Sequence, residues 1–224
     1  IAQSYLRTSN YDLAIEHLNS IDNLNETQKS VYQKVTYQKA ILAYNDAIAT
    51  EAEMLFIESL KHTSDMRLSN SAHYHLGEID LSANSFNEAI KHYNSQSFID
   101  ILSEYSLGYC RYNKQQYTEA ILHFNKSMNS EHQEISMDSR IRFADCLYAT
   151  KSYQEALNTY RTVAEKTNLP YLIFQSGMCL RRLDRNSEAI TTFGILSNDN
   201  RFGAKSRYQV GMIQFESAQF DEAE

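Results

Sequence analysis

The stretch Tyr117-Thr118-Glu119-Ala120, with Phe124 four residues past the alanine, recurs 36 residues later as Tyr153-Gln154-Glu155-Ala156 with Tyr160, and 31 residues earlier as Phe86-Asn87-Glu88-Ala89 with Tyr93. Looser copies stand at Tyr11-Asp12-Leu13-Ala14 and Phe220-Asp221-Glu222-Ala223. Seven alanines, Ala14, Ala52, Ala89, Ala120, Ala156, Ala189 and Ala223, thus mark an internal repeat of 31–38 residues. Twelve residues before each lies a second small residue: Ala2, Ala40, Gly77, Gly108, Ala144, Gly177 and Gly211. A glycine inside a helix costs roughly 0.5–1 kcal/mol relative to alanine, so its repeated use there requires that something occupy the space of the missing side chain. Small residues on facing helices let two backbones approach at the short end of the usual ~8–10 Å range. The aromatics four residues after the alanines, Phe56, Tyr93, Phe124, Tyr160 and Phe193, fill the space alongside. Each repeat is therefore expected to be an antiparallel helix pair.

The chain divides into seven such units, 1–24, 28–64, 68–97, 98–130, 134–168, 170–199 and 201–224, read as one array with the first and last incomplete. Period-3.6 patterning with one proline and six glycines points to an all-α chain, and no hairpin dipeptide or sustained alternation marks a strand. The turn inside each pair is placed at Ser9, Asn84, Gln115, Lys151, Asp184 and Ala218, giving first and last pairs of 1–8 with 11–22 and 201–217 with 220–224. If those turns need a left-handed residue, only Asn84 and Asp184 suit it. In the second unit, Lys39 and Ala49 stand where apolar and aromatic residues are expected, so its register could be off by one. Near Ser97 the spacing shrinks to 31, which leaves hardly any loop. Either the pitch of the array changes there or a helix is one turn shorter.

This pattern of small residue, aromatic, alanine and aromatic in a unit of about 34 residues resembles the tetratricopeptide repeat (TPR) family, over essentially the whole chain. The resemblance implies an α-solenoid, a right-handed superhelix of helix pairs, whose first helices line a concave face. The first and last residues fall inside repeats and no initiator methionine is present, so a piece of a longer array is expected, with exposed apolar end faces able to self-associate. The Asn/Tyr/Ile-rich text is similar to multi-repeat bacterial envelope proteins of that family, with periplasm and cytoplasm both open.

The net charge is −7 with both signs interspersed, which gives no footprint for a phosphate backbone. No apolar run approaches the ~20 residues of a membrane-spanning helix, so a soluble array is expected. Cys110, Cys146 and Cys179 occupy equivalent positions on consecutive first helices, too far apart for disulfides, which need Cα atoms within ~7 Å. They are read as buried free thiols, with metal ligation or redox work as the lesser alternative. The histidines are dispersed, and His73 and His75 point to different sides of their helix. They are read as surface or groove residues. The carboxylates Glu155, Glu188 and Asp221-Glu222 fall at solvent-facing positions, and no phosphate loop, nucleophile elbow or metal motif is present. No catalytic residue, metal ligand or cofactor is assigned.

The resemblance implies that residues fifteen, eleven and eight before each alanine face inward. These rows contain Tyr37, Tyr74, Tyr105, Ile141, Phe174 and Tyr208; Gln3, Ile41, Glu78, Tyr109, Asp145, Met178 and Met212; and Leu6, Tyr44, Leu81, Tyr112, Tyr148, Arg181 and Phe215. Tyr105, Tyr109 and Tyr112 share one helix face. Tyrosine offers a large, rigid, amphipathic body suited to recognition. The expected partner-binding groove is lined by Tyr37, Tyr44, Tyr74, Tyr105, Tyr109, Tyr112, Arg142, Tyr148, Phe174, Arg181 and Tyr208, with the arginines orienting acidic groups. The carboxylate clamp of some TPR domains is not matched, since Gln38, His75, Ser106, Arg142 and Gln175 occupy its row. A non-catalytic scaffold for a partner peptide or helix is the first reading, and a structural spacer in an envelope or secretion assembly is the alternative.

Overall fold

A computed structural model describes residues 10–221, with side chains described for residues 10–218. The expected helix 1–8, with Ala2, Gln3, Leu6 and the Ser9 turn, lies outside the described residues, as do Ala223 and the side chain of Phe220. Among the described residues there are twelve helices and no strand: α1 (Tyr11–Asn19), α2 (Glu26–Asn45), α3 (Ala49–Ser59), α4 (Met66–Ser82), α5 (Phe86–Asn94), α6 (Ile101–Asn113), α7 (Tyr117–Ser127), α8 (Gln133–Ala149), α9 (Tyr153–Thr167), α10 (Pro170–Arg182), α11 (Asn186–Ile195) and α12 (Gly203–Asp221). They fall into two compact units, Ile1–Cys110 and Arg111–Glu224.

Five turns inside the helix pairs are copies of one another. The residue five before the alanine, Ala47, Asn84, Gln115, Lys151 or Asp184, is left-handed, with φ between 58° and 66°. Its N–H donates to a carbonyl three residues back, as Ala47 does to Tyr44 at 3.0 Å. The next N–H reaches five residues back, as in Ile48 to Ala43 at 2.8 Å and Ser152 to Leu147 at 2.8 Å. This pair of bonds closes a helix C-terminus while turning the chain. The next helix starts at once, because the carbonyl of the second turn residue accepts from the alanine N–H, Ala52 to Ile48 and Ala156 to Ser152 both at 3.0 Å.

Ala47 settles the second repeat. It lies five residues before Ala52, Ala40 and Ala52 are fully buried, and the register is the same as elsewhere. Lys39 is accommodated at the surface by Asp12 at 2.7 Å and Glu51 at 3.4 Å. The turn expected at Ala218 does not form, since α12 runs through it to Asp221. Ala218 has high helix propensity. Near Ser97 the connection is six residues, 95–100, rather than almost none. Space for it comes from α6, which has 13 residues against 17 in α4 and α8. The shorter-helix reading therefore holds. The loop is pinned by Asn70, whose Oδ1 accepts from the Ser97 N–H at 2.9 Å and hydroxyl at 3.0 Å.

A left-handed non-glycine residue costs about 1 kcal/mol or more, least for Asn and Asp. Replacing Ala47, Gln115 or Lys151 by glycine is expected to stabilise the protein by about 1 kcal/mol each despite the greater freedom of the unfolded chain. The expected rise in melting temperature is about 2–4 °C per substitution. Asn84→Gly and Asp184→Gly serve as near-neutral controls in the same thermal melts.

In the first unit, Ala40, Ala52, Phe56, Ala72 and Leu76 form one core cluster, and Ala89, Ile90, Tyr93, Leu107 and Cys110 another. In the second, Ala144, Ala156, Tyr160, Leu172, Ala189 and Phe193 belong to a single larger core. Two of the small residues, Gly77 and Gly177, act as expected. A Cβ on Gly77 would lie 2.5 Å from Cε1 of Tyr93, and one on Gly177 2.6 Å from Cε1 of Phe193.

Candidate functional site

The first helices α2, α4, α6, α8, α10 and α12 carry the three rows expected from the sequence to face inward. In the first unit, Tyr37 and Tyr44 are half-buried, and both rest on Phe56, with ring centroids 5.7 and 6.4 Å away. His75 stacks on the same Phe56 ring at 5.1 Å and contacts Tyr44 at 4.9 Å and Tyr74 at 5.5 Å. It is thus part of an aromatic cluster rather than a surface histidine, and burial lowers its pKa. His73 points elsewhere, to His92 at 5.8 Å. Tyr74 also meets Tyr93 at 6.2 Å. Tyr105 and Tyr109 pack edge to face at 5.0 Å.

In the second unit Tyr112 packs on Tyr117 at 5.7 Å and Tyr148 on Tyr153 at 5.3 Å. Phe174 contacts Phe193 at 5.5 Å and Phe202 at 5.3 Å. Tyr208 is 64% exposed, whereas Ile141, from the same row, is buried and belongs to the core. The two arginines are not free cations. Arg142 bonds Asp145 at 2.9 Å and lies 3.6 Å from Asp138. Arg181 bonds Gln209 and pairs with Glu216 at 2.6 Å. Arg142 is paired within α8, whereas Arg181 joins α10 to α12.

Sequence reasoning missed what the inward carboxylates do. The Tyr93 hydroxyl donates to Glu78 Oε1 at 2.5 Å, as does Ser106 at 2.7 Å. The Tyr160 and Tyr171 hydroxyls donate to Asp145 Oδ1 at 2.7 and 2.6 Å. Burial raises the Asp145 pKa against the lowering effect of these donors and of Arg142. A signal existed in the sequence. Only the two repeats with tyrosine four residues after the alanine have a carboxylate eleven before it, whereas Phe56, Phe124 and Phe193 are matched by Ile41, Tyr109 and Met178. The ring fills the small-residue gap and the carboxylate takes its hydroxyl.

Cys110, Cys146 and Cys179 are buried free thiols, and burial pushes Cys146 and Cys179 up to about 12. Among the described residues no group of three His, Cys, Asp or Glu side chains is placed to hold a metal ion, and no helix is long and apolar enough to cross a membrane.

The family model described as anaphase-promoting complex, cyclosome, subunit 3 matches residues 97–163, the fourth and fifth helix pairs. Among solved structures, YrrB, described as a TPR protein with an unusual peptide-binding site, superposes with a TM-score of 0.68 at 16% identity, covering 78% of this chain and 91% of that one. This is a tetratricopeptide-repeat fold. The C-terminal part of a TPR repeat-containing protein from Cytophaga hutchinsonii matches with a TM-score of 0.61 at 18% identity, over 88% of this chain and 76% of that one. MamA AMB-1 matches with a TM-score of 0.60 at 16% identity, over 73% and 96%. No curated protein matches the chain in sequence. The TPR fold explains why the inward rows fall on alternate helices and why their rings rest on the aromatics of the second helices.

Proposed function

We propose that this chain is a non-catalytic interaction scaffold, one continuous repeat array that holds a peptide or helical segment of a protein partner against its tyrosine-rich rows. The observation that carries the reading is the state of those tyrosines. Tyr37, Tyr44, Tyr74, Tyr105, Tyr109, Tyr112 and Tyr148 are all half-buried, held by ring contacts and still partly open to solvent. Such rings lose little freedom on binding, which limits the entropic cost of association. TPR-like folds mediate protein–protein interaction, and the description of YrrB as a protein with a peptide-binding site supports a peptide as the ligand. With Arg142 and Arg181 already paired, aromatic area rather than charge supplies the affinity.

The test uses one double variant in each unit, Tyr105→Ala with Tyr109→Ala and Tyr112→Ala with Tyr148→Ala, as bait in affinity capture from the source cell. Interface aromatics commonly contribute more than 1 kcal/mol each. At least one double variant is expected to weaken partner binding by about 30-fold or more, with helicity by circular dichroism unchanged. Undiminished recovery of the same partners by both folded variants rejects these rows as the binding face.

A further inference from the structure

A second site lies away from the inward rows. A cleft of about 180 Å³ opens between α8 and α9, bordered by Ser136 and Arg140 on one helix and by Thr162 and Lys166 on the other, with Met137 and Val163 as its apolar lining. None of these residues belongs to the three rows. No carboxylate lines the cleft, and among the described residues neither cation pairs with one. Arg140 uses a single donor, Nη2, on the carbonyl of Met128 at 3.3 Å, leaving most of its guanidinium N–H groups for a ligand.

The site is particular to this repeat. α9 has 15 residues where the equivalent helices α3, α5, α7 and α11 have 11, 9, 11 and 10, and its additional turn carries Lys166. The positions equivalent to Arg140 hold Thr36, His73, Glu104, Ile173 and Arg207, and those equivalent to Lys166 hold Leu24, His62, Ile99, Ser130 and Asp199, so none of the other units in which both positions fall within the sequence has a cation at both. Two cations and a small apolar lining therefore come together where a helix departs in length from its counterparts, while the Ser136 and Thr162 hydroxyls already donate to the Met128 and Asn158 carbonyls at 2.6 and 2.9 Å. Like charges facing one cleft without a counterion repel each other, and an anion relieves that repulsion.

We propose that this cleft binds an oxyanion, a carboxylate or phosphoryl group carried on a short apolar stem, with Arg140 and Lys166 as its charge partners. This site is independent of the tyrosine rows and does not rest on their binding a peptide. The test is titration of the isotope-labelled chain with inorganic phosphate and, separately, with butyrate, followed by amide resonances. Shifts concentrated in 133–140 and 162–167 are expected, weakening several-fold between low and 0.2 M salt. Lys166→Gln, an exposed change that leaves the core intact, should raise the dissociation constant about tenfold, the loss of one charge-assisted contact. Stronger binding of phosphate assigns the ligand to a phosphoryl group, and stronger binding of butyrate to a carboxylate. Shifts spread equally over other surface cations such as Arg201 and Lys205, or a Lys166→Gln titration matching the wild type, overturn the proposal.

Discussion

Gly77→Ala and Gly177→Ala each destabilise the protein by about 2 kcal/mol, although alanine is the better helix former at both positions. An added methyl group would sit 2.5 Å from a ring carbon of Tyr93 or 2.6 Å from one of Phe193, and both rings are fully buried. Overpacking of this kind costs about 1–3 kcal/mol, which outweighs the roughly 0.5–1 kcal/mol that alanine contributes inside a helix. The loss at Gly77 should be the greater, because the Tyr93 hydroxyl is held by Glu78 at 2.5 Å and its ring is less able to move aside. Phe193 has no such tether. Gly194→Ala, near the end of α11, has the opposite sign. A Cβ there meets nothing within 4 Å, so helix propensity alone acts and the variant gains about 0.5–1 kcal/mol. Urea unfolding of the three variants measures all of this, and three equal shifts would show that the glycines are not spacers.

The second large effect is expected at Asp145. Its carboxylate is 7% exposed and accepts from Tyr160, Tyr171 and Arg142, joining α8, α9 and α10. Asp145→Ala strands the hydroxyl of a fully buried tyrosine and releases Arg142 from its partner, at a cost of about 3 kcal/mol. Asp145→Asn keeps an acceptor for the hydroxyls and should cost about 1 kcal/mol. The two also differ in pH dependence. Burial holds the Asp145 pKa in the folded chain above its ordinary carboxylate value, so the folded state binds that proton more firmly than the unfolded state does. The residue therefore favours folding at pH below its unfolded value, and this contribution is withdrawn as pH rises from there through the folded value. Asp145→Asn lacks the withdrawal, so its stability relative to wild type should rise with pH across that window. Unfolding free energies from pH 3 to 7 give the comparison, and a gap that narrowed toward acid pH would contradict it.

The repeat was legible because its cause is local and recurrent. A small residue, an aromatic and an alanine at fixed offsets specify where one helix meets the next, and the offsets survive changes of Tyr to Phe or Gly to Ala. The turns at Asn84, Gln115, Lys151 and Asp184 were legible by position, whereas the one at Ala47 was not placed. Ala47, Gln115 and Lys151 adopt the left-handed conformation because packing on both sides imposes it, and local propensity gave no sign of that. The same limitation misplaced a turn at Ala218, where helix propensity prevails. Among the expected groove residues, Arg142 and Arg181 were credited with free charge. Their partners are neighbours three residues away in one case and on the next first helix in the other, and side-chain rotamers and helix packing, not spacing, decide that both pairs close. Glu78 and Asp145 could have been recognised from their pairing with Tyr93 and Tyr160.

The claim that most depends on geometry is that the missing side chain of a first-helix glycine is occupied by the ring of the following helix. A double-mutant cycle on Gly177 and Phe193 addresses it directly, because Phe193 has no polar partner to confuse the result. If the ring fills the gap, Gly177→Ala is harmful in the wild-type background, and with Phe193→Leu already present it becomes neutral or stabilising, a favourable coupling of about 1–2 kcal/mol. Additive effects of the two substitutions, with Gly177→Ala equally harmful in both backgrounds or harmless in both, would contradict the account.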